Sequence, residues 1–549
     1  MGSKSLDRWV GFPFKVADAV KLRFGLTIDF LQYRDSFNTY KKIIAGNNRK
    51  SGRVLFVAGR GMNISWAQMW TYLSLSFALH NVEPCVLTMG RQWIIRIYFN
   101  LVRARIFRME DFLAAGTQPF STKDIAKCAT VKQWKALHYR NMPVGQMALS
   151  TYCRHHATGF IDPSNESLRE FSVEWIQNIC RAYEAASKLY QTRQISTAVF
   201  TETFIEEYGG FYYAALSLGI DVIKTSGTVR DNAIVVQRRS VQNERLHHAA
   251  LTEPAWQIVK QLKDYNHLKS EVDRNFSDRY GDKWLRSQRN HKNTKIVSRE
   301  QGRGLLGIIG QRKTVVIFSH ILYDTIFHYG DELFQDYATW LIETVKVAIE
   351  NSRVDWFIKL HPSNLWRGEF QSLLGGKYEE EEIIARHIGA LPAHVHLVKA
   401  DTPISPFSWY QIADYGISVR GTAGLEMACF GKPVITAGTG RYEGKGFTID
   451  PGSVDEYRSI LLTLPTLDPL TPAQTQLAVR YAHGLFNMKP FALASLEPRL
   501  KFGKYEVRES DDITYVPHPH SEATPLPAEL LRFAGYIEDK SQIDLLTKA

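Results

Sequence analysis

The chain has 549 residues, 44 % of them hydrophobic and 22 % charged, the balance of a globular protein with room for about two to four domains. Its net charge of +11 favours anionic partners such as membranes or nucleotide-linked substrates and says nothing of fold. The five cysteines stand singly, with no C-x-x-C pair, which predicts reduced thiols in a cytosolic protein and argues against structural zinc.

No zinc-finger spacing, aromatic RNA-binding motif or basic-leucine pattern is present, so nucleic acid is not an expected partner. Neither a signal peptide nor a run of about 18 apolar residues is visible, so no membrane span is expected. The most apolar stretch, Ile64 to Leu79, carries Gln68, Thr71 and several serines and reads as a buried helix.

Residues 1–48 form a basic, partly amphipathic helical arm, with Trp9, Phe12, Phe14 and Leu22 among Lys15, Lys21 and Arg23. The arm either packs on the domain that follows or rests on an anionic membrane surface. Val54 to Ala58 is a short β-branched run. Gly59, Arg60 and Gly61 make a turn, Asn63 or Ser65 caps a helix, and Cys85 to Thr88 is the next strand, the opening of a parallel sheet. Ser196 to Glu202, Tyr208 to Gly219 and Ile220 to Gly227 continue as strand, helix and strand, while 100–190 reads as mostly helical. Residues 49–235 are therefore expected to form one Rossmann-like domain.

Residues 236–304 break the alternation. The segment is rich in Lys and Arg, and its few apolar residues predict an exposed, basic helical connection. Strand and helix signals then resume: Thr314 to His320, Leu333 to Glu350, Asp355 to Pro362, His394 to Ala400, a short helix and strand within "WYQIADYGISV", and Pro433 to Gly438. This predicts a second doubly wound domain over 305–455. Residues 456–549 form a C-terminal tail of helices, Pro-rich from Tyr515 to Pro527.

In open parallel sheets ligands sit outside the carboxyl ends of the strands. In the second domain those ends carry Ser319 and His320, then Lys359, Leu360, His361 and Pro362, then Ser418 to Gly424. An ammonium and an imidazole at one strand end can both donate to a phosphate, and Pro362 fixes the direction of the chain after His361. Gly421, Thr422, Ala423 and Gly424 make a small-residue turn into a helix, where unpaired N–H groups attract phosphate oxygens. Thr422 adds a hydroxyl and Arg420 a charge. Glu426 follows within an apolar stretch, and a buried carboxylate needs partners. A ribose diol would supply two donors; capping of its own helix and pairing with Arg441 are the alternatives.

The stretches "FSHILYD", "FIKLHPSN" and "DYGISVRGTAGLEMACFGKPVITAGTGRY", in that order over 310–445, resemble the capsule polysaccharide biosynthesis glycosyltransferases, a family that includes Kdo transferases. The resemblance implies the GT-B arrangement: an α/β pair of doubly wound Rossmann-type domains facing a cleft, with the nucleotide sugar on the C-terminal one. It places His361 on the donor phosphate and Glu426 on the ribose. It implies transfer from CMP-Kdo or another nucleotide sugar to a growing surface glycan or glycolipid, by a cytoplasmic protein, peripheral on the inner membrane face if the arm binds lipid, working beside capsule assembly proteins. The donor set for this reading is Ser319, His320, Lys359, His361, Arg420, Gly421, Thr422, Ala423 and Glu426. Gly59, Arg60 and Gly61 belong to the acceptor side.

No Asp-x-Asp stands at a strand end, so neither a chelated metal nor another cofactor is expected. An inverting transfer needs a base for the acceptor hydroxyl. Glu202, Glu206 and Glu207 are the candidates unless they form a solvated loop, and Asp324 could orient His320. A CDP-polyol phosphotransferase and a non-catalytic capsule assembly or export factor are the competing functions.

Overall fold

The computed structural model describes residues 29–40, 52–59, 62–90, 92–114, 119–281, 283, 293–308, 310–365, 378–500, 513–521 and 523–547. Most of the N-terminal arm, together with Arg60 and Gly61, lies outside these residues. The chain divides into two compact units, Met1–Arg108 with Ala492–Lys540, and Met109–Phe491 with Ser541–Ala549.

In the first unit, β1 (Gly52–Ala58), β2 (Val82–Thr88) and β3 (Arg105–Arg108) pair in parallel. Helix α1 (Ile64–Leu79) connects β1 to β2, and α2 (Trp93–Asn100) connects β2 to β3. Asn63 is the cap of α1, its side chain accepting from Trp66 N. Several buried polar residues of α1 find partners within the same unit. Gln68 donates to the Tyr98 hydroxyl at 3.0 Å and accepts from Tyr515 N at 2.8 Å, and Ser76 donates to Leu530 O at 2.9 Å. The partners Tyr515 and Leu530 come from an antiparallel hairpin, Leu496–Leu500 with Ile513–Pro517, and a helix, Ala528–Glu538. The Pro-rich stretch of the tail thus begins as a strand.

In the second unit, helices α3 (Val144–His156) and α4 (Glu166–Arg193) precede β4 (Ile195–Phe200), α5 (Glu206–Ser217), β5 (Asp221–Gly227) and β6 (Ala233–Arg239). β4 and β5 are parallel, and β5 and β6 antiparallel. β4 ends at Phe200, so Glu202 stands beyond the strand in the loop before α5.

Among its described residues, the segment expected to be exposed is partly buried. Helices α6 (Glu253–Lys260) and α7 (Tyr265–Tyr280) form where helical spacing was read, but Trp256, Val259, Val272, Phe276 and Tyr280 are buried in one apolar cluster with Leu425, Met427 and Tyr481. Lys260 and Arg274 are exposed while the apolar stripe packs, but Arg279 near the end of α7 is buried with it.

The second sheet follows, with β7 (Thr314–Phe318), β8 (Asp355–Lys359), β9 (Val395–Val398), β10 (Tyr415–Ser418) and β11 (Val434–Thr436) in the order β11-β10-β7-β8-β9, every pair parallel. β8, β10 and β11 are buried throughout and β7 all but its last residue, the pattern of a sheet covered by helices, while β9 at the edge is partly buried. Those helices are α8 (Tyr337–Glu350), α9 (Glu379–His387), α10 (Pro406–Ile412) and α11 (Thr422–Ala428). α8 begins later than its apolar spacing suggests because Asp336 caps it, accepting from Thr339 N at 2.6 Å. After β9 the chain returns to the other side of β7. This reversal opens a crevice at the carboxyl ends of β7 and β10. The class is the one read from the sequence: α/β, with Rossmann-type parallel sheets. Among the described residues no helix is long and apolar enough to cross a membrane.

Candidate functional site

The strand ends meet in one cavity of about 220 Å³. Ser319, His320, Lys359, His361, Arg420, Gly421, Thr422, Ala423 and Glu426, all chosen from the sequence, line it. Arg279 and Tyr280 at the end of α7, His247, Tyr329, Tyr410 and Arg441 complete the wall.

The turn after β10 is built from short-range hydrogen bonds. Ser418 Oγ accepts from Gly421 N at 2.9 Å. His320 Nε2 accepts from Val419 N at 3.2 Å and Arg420 N at 3.4 Å. A Cβ on Gly424 would overlap the Tyr442 hydroxyl, which itself donates to Gly421 O at 2.7 Å. Glycine there lets Tyr442 reach the turn. No side chain caps α11, and no acceptor stands on the N–H of Thr422 or Ala423 among the described residues.

Charge in the cavity is unevenly compensated. Lys359 is buried, and burial brings its pKa down from 10.5 to about 8. Its ammonium donates to Leu360 O at 3.3 Å, and no carboxylate pairs with it among the described residues. Arg441 donates to Thr422 Oγ1 at 2.6 Å and Arg420 O at 2.9 Å. Burial lowers its pKa.

Arg420 is committed elsewhere, to Glu332 Oε1 at 2.8 Å and to the carbonyl of Tyr329. Glu426 is fully buried and accepts from Arg279 Nη1, from the Tyr280 hydroxyl, and from the Tyr410 hydroxyl at 2.7 Å. The basic partner of Glu426 is thus Arg279 and not Arg441.

His320 is uncharged. Burial, then Arg420 and Arg441, push its pKa down to about 3. Asp324 does not orient it. The Asp324 carboxylate faces Arg154 Nη1 at 3.7 Å, while the His320 ring contacts Ser418 and the backbone after it.

A second cavity of about 420 Å³ shares His247, Arg279, His320, Thr325, His361, Thr422 and Arg441 with the first. It runs to Gly227, Thr228 and Val235 of the β5–β6 hairpin, and to Leu485 and Phe486 of a π-helical turn, Gly484–Met488. His247 and His248 line it too, both held neutral by burial and by the positive side chains around them.

The acidic residues after β4 line neither cavity. Glu202 accepts from Thr203 N at 2.7 Å and Phe204 N at 3.2 Å and lies 3.3 Å from His328 Nε2. Burial alone would raise its pKa, but His328, Lys224 and the Thr203 N–H outweigh burial and hold it well below the usual carboxylate range. Glu207 sits in the first turn of α5, and the side chain of Glu206 lies outside the described residues. Gly59 ends the β1 turn in the first unit, its carbonyl accepting from Gln92 Nε2 and from Met62 N.

Among the described residues no group of three His, Cys, Asp or Glu is placed to hold a metal ion.

No family model matches the chain. No curated protein matches it either. Among solved structures it is similar to the beta Kdo 2,4 transferase of Thermosulfurimonas dismutans KpsC, at 14 % identity over 54 % of this chain and 81 % of that one, TM-score 0.30. It is also similar to a Neisseria meningitidis UDP-GlcNAc 2-epimerase bound to UDP-GlcNAc, at 12 % identity over 79 % and 96 % of the two chains, TM-score 0.26. A third is Acinetobacter baumannii MurG, at 11 % identity over 79 % and 94 %, TM-score 0.27. At these scores the likenesses assign nothing to the chain beyond what its own strands and cavities carry.

Proposed function

We propose that the chain is a glycosyltransferase that moves a sugar from a nucleotide-sugar donor to a growing capsular or other surface polysaccharide. The observation that carries the reading is Lys359, a buried cation with no carboxylate partner among the described residues, at the end of a central strand and in the same cavity as His361 and Arg441. A buried charge without a counter-charge is costly, and a bound anion relieves that cost.

In this reading the donor phosphate takes its hydrogen bonds from Lys359, His361, Arg441 and the N–H groups of Thr422 and Ala423. The ribose and base lie toward Tyr280, Tyr410 and the Glu426–Arg279 pair. Ser319, His320 and Gly421 shape the floor. The acceptor glycan occupies the second cavity. The negative charge that develops on the leaving phosphate is met by side chains of the chain itself, so the transfer is read as metal-independent; direct displacement by the acceptor hydroxyl makes it inverting. The motif resemblance leaves the donor open between CMP-Kdo and another nucleotide sugar, and work at the inner face of a membrane would require the basic arm to bind lipid and not pack on the domain that follows.

The test is calorimetric titration of the full chain with CMP, CDP, UDP and GDP, followed by mass spectrometry of products formed from the matching sugar nucleotides. One nucleotide should bind, and Lys359→Met should weaken it at least about tenfold. A chain that binds none of the four would end the reading.

A further inference from the structure

Two carboxylates line the cavities among the described residues, Glu426 in the first and Asp324 in the second. Glu426 is committed to Arg279, Tyr280 and Tyr410. Asp324 is part-exposed, at 20 % for its side chain. Its neighbour Thr325 lines both cavities, so Asp324 stands beside the passage between them.

The backbone there is held in an unusual form. Thr325 has φ +59° and Phe327 φ +60°, left-handed values that a β-branched and a bulky residue rarely adopt. Surrounding contacts fix the loop. Asp324 N donates to Ile321 O at 3.0 Å, Phe327 N to Glu332 Oε1 at 3.1 Å, and Arg420 clamps Glu332 at 2.8 Å. A carboxylate is thus set at one place on the cavity wall, within 3.7 Å of a guanidinium from α3.

Resting on the transfer reading above, we propose that Asp324 is the general base that accepts the proton of the acceptor hydroxyl. As the acceptor oxygen bonds to the anomeric carbon, its proton passes to the Asp324 carboxylate. The bond from the anomeric carbon to the donor phosphate oxygen breaks, and its electron pair stays on the phosphate beside Lys359 and Arg441. The proton leaves to water when product departs. Of the other groups at the passage, His320 already uses Nε2 to accept from backbone N–H groups, and His361, which lines both cavities, is given to the donor phosphate. Glu202 lies outside both cavities.

The test measures transfer and nucleotide affinity in the full chain carrying Asp324→Asn or Asp324→Ala. General-base loss costs about 10²–10⁴ in turnover, so turnover should fall at least about a hundredfold with nucleotide affinity unchanged. Formate should restore part of the turnover of Asp324→Ala by supplying a carboxylate to the vacated space. Turnover of Asp324→Asn within about threefold of wild type would overturn the assignment, as would a loss matched by weaker nucleotide binding or a formate-insensitive Asp324→Ala chain. A wild-type chain that binds and transfers nothing would instead defeat the transferase reading itself.

Discussion

Arg279, the penultimate residue of α7, forms a salt bridge to Glu426 of α11, with their side chains 5 % and 0 % exposed. Each charge is deeply desolvated, and each exists at that depth only because of the other. Removing one partner of such a pair strands a buried charge and costs about 3–5 kcal/mol. Glu426→Ala should therefore lower stability by about that much in urea unfolding, whereas a paired Arg279→Met, Glu426→Leu replacement should cost far less. Two single losses that simply add in the double variant would show that the pair is not coupled.

Lys359 gives the donor cavity a pH signature. Its pKa of about 8 against an ordinary 10.5 comes from burial. Below pH 8 the free protein holds the ammonium that an anion needs; above it the group is neutral. Nucleotide affinity should be flat below pH 8 and fall above it by up to about tenfold per pH unit. Calorimetry in buffers of different ionisation enthalpy should show proton uptake on binding near that pH. Between about 8 and 10.5 the unfolded chain binds more protons than the folded one, so this lysine's contribution makes stability rise with pH across that window. Lys359→Met should remove both effects.

Glu380 does the reverse. It is 2 % exposed, and burial raises its pKa from 4.5 to about 7, against hydrogen bonds from Asn364 and Ser319. From pH 4.5 to 7 the folded state holds a proton that the unfolded state has released, so stability falls as pH rises through that range. The gap corresponds to about 3 kcal/mol. Glu380→Gln should flatten the stability difference between pH 5 and pH 8 by an amount of that order; an unchanged difference in guanidinium unfolding would refute the shift.

Gly424 and Tyr442 form a steric pair. A methyl group at 424 would run into the Tyr442 hydroxyl, and overpacking of this kind costs about 1–3 kcal/mol. Gly424→Ala should destabilise by that amount in the native background and by clearly less with Tyr442→Phe. Equal costs in the two backgrounds would mean that the turn relaxes by another route.

The central strands of the second sheet were legible because each is a brief, nearly continuous apolar run, "TVVIF" and "DWFIK" among them, bounded by polar or turn residues. Their order put the donor-side residues at one sheet end, and the structure brings them into one cavity. β6 was not legible. It closes on "QRR", which reads as a solvated edge, yet all seven of its residues are buried. Asp221 at 2.6 Å and the Gln542 carbonyl neutralise Arg238 there, and sequence order carries no sign of partners so far away. The hairpin strand Leu496–Leu500 hid behind Pro498, which faces Tyr515 in the register. Arg279 and Tyr280 were missed for a similar reason. A run of lysines and arginines looks like a wet surface until one of them is found opposite a carboxylate 147 positions away.

The acceptor role of His320 Nε2 toward the N–H groups of Val419 and Arg420 settles where the ring's single proton resides. It must sit on Nδ1, and with the pKa near 3 it stays there at every physiological pH. His320 is therefore a constant: a neutral donor with one fixed direction, blind to the pH changes that would switch Lys359 or Glu380. A ligand oxygen meeting Nδ1 is recognised in the same way on either side of neutrality, and a proton released in the cavity has no place to go on this ring.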